Sequence, residues 1–128
     1  MAKVKFMSNE EKVNSFDNPF PFGEGQGMGL LVEKLHKDFY LEKESLPAVD
    51  NLDLIRNHLI VKVKELMSRD YNRFLNSLYR IDVNEKKVRE ILHSKDIVTI
   101  PEQLADLIIE RQLMRVRTQL IYKEGKLK

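Results

Sequence analysis

Toward the C-terminus, Ala105, Ile109, Leu113, Val116 and Leu120 recur at spacings of four, four, three and four residues. That period of about 3.6 puts all five on one side of a helix, whereas a strand would alternate every second residue. The same period recurs upstream. Met28, Leu31, Val32, Leu35 and Phe39 fall within about 50° of one direction at helical spacing. Leu52, Ile55, Leu59, Val63 and Leu66 make another stripe, which Met67, Tyr71, Phe74, Leu78 and Ile81 continue with a sideways rotation. Val88, Ile91 and Leu92 make a short one. The run LIVKVK at 59–64 alternates and is rich in β-branched residues, but six residues between two helical patterns favour the helix.

Local signals punctuate these stripes. Asp50 follows the Leu46-Pro47 break as a candidate N-cap, because the residue before proline avoids the helical region and an Asp side chain can accept from free N–H groups. Asp82 to Glu85 and Thr99 to Glu102 have capping-box spacing, the latter with Pro101 in its first turn. Gly125 is a natural stop. The expected fold is all-α: a four-helix antiparallel arrangement with two long helices (about 51–81 and 100–123), one medium (about 28–43) and one short (about 83–93). An irregular aromatic and Gly-rich arm, 1–27, precedes a helical domain, 28–128.

Four of the five glycines lie in FGEGQGMGLL, residues 22–31. A dinucleotide fingerprint needs glycines at positions 1, 3 and 6 after a buried strand; from Gly23 the sixth position is Met28, and from Gly25 it is Leu30. A P-loop needs Gly-Lys-Ser/Thr, and the run has no Lys or hydroxyl. The glycines read instead as a pliable hinge that lets the arm fold back.

Glu33-x-x-His36 and Glu90-x-x-His93 have the spacing that di-iron bundles use, with Glu65 and Glu110 as conceivable further ligands. The ligands must project inward. Relative to the stripe centres, Glu33 and His36 lie about 140° and 80° away, and Glu90 and His93 about 200° and 140° away. No metal is expected. With no Cys, thiol catalysis and Cys-ligated metals are excluded. The three His adjoin no nucleophile in a recognisable motif, His58 lying off the stripe of its helix. The expected protein is non-catalytic, without cofactor.

Net charge of +2 hides a gradient: residues 1–53 hold 6 basic against 10 acidic side chains, and residues 54–128 hold 16 against 10. Arg111, Arg115, Arg117, Lys123 and Lys126 make the far end a candidate anion or nucleic-acid contact. Acidic neighbours interleave the basic residues, so this is the alternative reading. The favoured one is a helical protein–protein interaction or assembly protein. Its expected interface comprises Phe16, Phe20 and Phe22 of the arm, with Tyr71, Phe74, Leu78, Leu113, Val116 and Leu120. A helix of about 45 Å would outrun the roughly 36 Å diameter of a compact chain this size, so a homo-oligomer, most simply a dimer, is expected. The stretch MAKVKFMSNEEK has no apolar signal core, and no window has 18 uninterrupted apolar residues. A cytoplasmic location with no membrane association is expected.

Overall fold

The computed structural model describes residues 24–42 and 51–123. The fold is all-α: these residues form α1 (Glu24–Phe39), α2 (Leu52–Arg69), α3 (Tyr71–Arg80), α4 (Glu85–Leu92) and α5 (Ile100–Lys123), with a 3-10 turn at Ile97–Thr99. There are thus five α-helices where the periodicity suggested four, and no strand among the described residues; LIVKVK lies inside α2.

α1 begins and ends about four residues early. Gly25, Gly27 and Gly29 lie inside it, so the glycine run is helix and not a hinge from position 24 onward. Each interior glycine costs about 1 kcal/mol relative to alanine. The stripe outweighs that: Met28, Leu31, Val32, Leu35 and Phe39 are all buried, and each such side chain contributes about 1.5–3 kcal/mol. The helix stops at Tyr40, which takes a left-handed φ of 63°. Its N–H donates to the His36 carbonyl, and Leu41 N–H to that of Leu35, satisfying orphan acceptors at the helix end.

The expected long second helix breaks at Asp70. Asp70 donates its N–H to the Leu66 carbonyl and ends α2, while its carboxylate accepts from Arg73 N–H and caps α3. The sideways drift of the apolar stripe is the reason. In a straight helix Phe74 and Leu78 would lie about 60° and 100° round from the centre of the Ile55, Leu59 and Val63 face; a bend at one residue brings both sets inside. At 18 and 10 residues, α2 and α3 span about 27 and 15 Å, which removes the length argument for a second chain.

Two caps also shift. Asn51 caps α2, its side chain accepting from Asp53 and Leu54 N–H groups; Asp50 lies outside the described residues. Asp82 does not cap α4. It ends α3 in the left-handed region (φ 66°), with its N–H on Tyr79 and Val83 N–H on Leu78, a Schellman arrangement. Asn84 caps α4. At the start of α5 the Thr99 hydroxyl donates to Asp96 C=O and accepts from the Gln103 side chain.

α5 is the central element, packing against α1, α2 and α4. Contact on several sides explains why its buried face is wider than the sequence stripe: Leu104 and Ile108 join Ala105, Ile109, Leu113, Val116 and Leu120 inside. Phe39 of α1 meets Phe74 of α3 edge-to-face, centroids 6.1 Å apart.

Candidate functional site

Two polar residues interrupt this apolar interior on facing helices. Asp38 of α1 and Gln112 of α5 are buried, the latter completely. Gln112 Nε2 donates to Asp38 Oδ2 at 2.9 Å; Arg115 Nη1 donates to the same oxygen at 3.3 Å and to Gln112 Oε1 at 2.9 Å. From α3, Arg80 Nε stands 3.7 Å from Asp38 Oδ1, while its Nη2 donates to the Asp38 carbonyl and to Ser77 Oγ, also buried. A buried carboxylate is tolerable only when paired and hydrogen-bonded. Here two guanidinium groups and an amide meet that condition and tie α1, α3 and α5 together. Arg111 makes a further tie, donating Nε to the Ile81 carbonyl at 2.8 Å at the end of α3.

Above this cluster, α1 and α5 leave a groove of about 410 Å³ lined by Lys34, Arg111, Met114, Arg115, Thr118, Gln119 and Tyr122. The α5 residues fall within an arc of about 140° at helical spacing, and Lys34 stands on the opposite wall. Three cations therefore converge on a concave surface with no carboxylate in its lining. Lys34 has no ion pair among the described residues. Burial, followed by the Arg115 guanidinium, holds its pKa below the ordinary lysine value. Met114 and Tyr122 remain 52% and 67% exposed, so the groove offers apolar as well as cationic contact.

The residues singled out in the sequence divide sharply. Phe74, Leu78, Leu113, Val116 and Leu120 are covered by the chain's own helices, so they do not present the exposed surface expected of an interface. Tyr71 is 41% exposed. Phe16, Phe20, Phe22 and Lys126 lie outside the described residues, as does the side chain of Lys123. Arg111 and Arg115 share the groove while bonding inward, and Arg117 is exposed. The histidines of the Glu-x-x-His pairs contact nearby backbone: His36 Nδ1 lies 2.8 Å from the Leu41 carbonyl, His93 Nδ1 2.8 Å from that of Arg89. Glu65 pairs with Lys62 and Arg69, and no metal-capable group of three acidic or imidazole side chains occurs among the described residues.

Sequence reasoning missed Asp38 and Gln112, although both carry a signal. Each borders its helix's apolar stripe, three residues after Leu35 and Ile109 respectively, and a polar side chain buried there must find a partner. Lys34, Met114 and Tyr122 gave no such signal, because their significance depends on how α1 docks on α5. No family model matches this chain, and neither the curated proteins nor the solved structures offer a match. No helix among the described residues is long and apolar enough to cross a membrane.

Proposed function

We propose that this chain is a non-catalytic helical interaction protein that binds a protein partner through the α1/α5 groove. The observation that supports this reading is the groove's composition: Met114 and Tyr122 stand exposed beside Lys34, Arg111 and Arg115. Side chains that join an apolar body to a polar tip suit protein recognition. A cytoplasmic setting belongs to the same proposal.

Thr118 is exposed in the groove, so Thr118→Glu places a charge there without touching the core. Proteins co-purifying from the native host should include a species retained by the wild type and lost with Thr118→Glu, at unchanged melting temperature. An identical set of co-purified proteins from both forms would sink the groove as the binding surface.

Nucleic acid is the second reading, favoured by the +3 lining of the groove. It ranks lower because Arg111 and Arg115 already donate inward, which leaves no continuous positive stripe. A gel shift with random DNA and RNA decides it: binding that falls log-linearly with salt supports this reading, and no shift at about 50 mM salt removes it.

A further inference from the structure

The direction in which α1 crosses α5 limits what can enter the groove. Asp38 meets Gln112 and Arg115, while Lys34, one turn earlier, faces the groove that continues along α5 past Arg115 to Thr118, Gln119 and Tyr122. Lower numbers on α1 therefore face higher numbers on α5, and the helices run antiparallel. The first residue of α1, Glu24, lies about 15 Å before Lys34 along the axis, beyond the Tyr122 end of the groove. Chain entering α1 arrives at the groove's open end.

That chain has complementary chemistry. Residues 8–22 carry Glu10, Glu11 and Asp17 against one Lys, with Phe16, Phe20 and Phe22 among them. Asp17 precedes Glu24 by seven residues, an extended reach of about 23 Å, which exceeds the 15 Å back to Lys34. Phe22 and Phe20, two and four residues before Glu24, reach about 7–13 Å, the neighbourhood of Tyr122. Gly23 supplies the backbone freedom that a reversal ahead of Glu24 would require.

We infer that the groove is occupied by the chain's own N-terminal arm, with Phe20 and Phe22 against Tyr122 and Met114 and Asp17 toward Lys34 and Arg115. The regulatory part of this inference rests on the proposed function: a protein partner binds the groove only by displacing the arm. The desolvated, Arg115-facing ammonium of Lys34 then has its counter-charge in the arm.

The chain contains no Cys, so engineered thiols report without background. The full-length chain carrying Asn18→Cys and Thr118→Cys is oxidised in a glutathione buffer beside a control pair, Asn18→Cys with Arg117→Cys, an exposed position equally within reach of the tether but about 100° round α5, off the groove. An intramolecular disulfide should form at least about tenfold faster in the groove pair, the preference that a tethered, docked segment gives over a free one. Adding Asp17→Lys or Lys34→Glu should each remove that preference, and adding both should restore it. Equal rates in the two pairs would overturn the inference, as would disulfide-linked dimers as the main product of the groove pair, which would place the arm on a second copy. If Thr118→Glu loses a partner while the two thiol pairs react equally, the arm is overturned and the binding groove stands. Preference for the groove pair with no partner affected by Thr118→Glu supports the arm and removes the partner.

Discussion

Asp38 shows how one residue can join three helices. The Gln112 amide is fully buried, and without Asp38 it and Arg115 lose their shared acceptor. Leaving a buried donor unpaired costs about 1–3 kcal/mol, and removing one partner of a buried ion pair costs more. The partly exposed Arg80 and Arg115 side chains can turn to solvent and soften that loss. Asp38→Ala should therefore destabilise the fold by roughly 2–3 kcal/mol, and Asp38→Asn, which keeps an acceptor, by less. Chemical denaturation measures both; an Ala variant as stable as the wild type would mean the cluster adds nothing. Gly29 is the opposite case. It is exposed within α1, and a Cβ built on it meets nothing within 4 Å. Gly29→Ala should stabilise by about 0.5–1 kcal/mol, raising Tm by about 2–5 °C.

Between elements, magnitude separates the contacts that hold the bundle from those that decorate it. Arg56 of α2 grips Asp106 of α5 through two bonds, Nε to Oδ1 at 2.6 Å and Nη2 to Oδ2 at 3.2 Å. Both side chains remain about a third exposed, where water screens the pair to about 1 kcal/mol or less. Leu59, on the same helix, is fully buried, and Leu→Ala in a core costs about 2–5 kcal/mol. Urea titrations of Leu59→Ala and Asp106→Ala should therefore differ at least twofold in lost stability, the leucine being the greater. The reverse order would mean that the α2/α5 contact is electrostatic at heart.

Across the whole molecule, the break at Asp70 lets one chain do what an unbroken rod would have left to two. Phe74, Leu78 and Ile81 fold back beside Phe39 and join the core with Ile55, Leu59 and Val63. The long apolar faces of α2, α3 and α5 are thereby covered within the chain. Light scattering at micromolar concentration should give the mass of one chain, 15.1 kDa. A mass near twice that would restore the two-fold assembly anticipated from helix length, with the exposed residues of α5 or the 3-10 turn as its surface.

The helical class and most of the core were determined by local pattern alone. Apolar residues at helical spacing must share a face, and burial of that face outweighs even the three glycines inside α1. Helix ends were less legible, because several competing caps lay within a few residues: Asn51 rather than Asp50, Asn84 rather than Asp82. Tertiary structure alone decided the rest. The stripe's rotation at Met67–Tyr71 fits either a supercoiled rod or a bend, and only burial on both sides of Asp70 selects the bend. Likewise Asp38, Gln112 and Arg115 meet across 74 and 77 residues of sequence. No periodicity encodes that meeting, since it follows from the docking of α1 on α5, and the groove exists only where those two helices lie side by side.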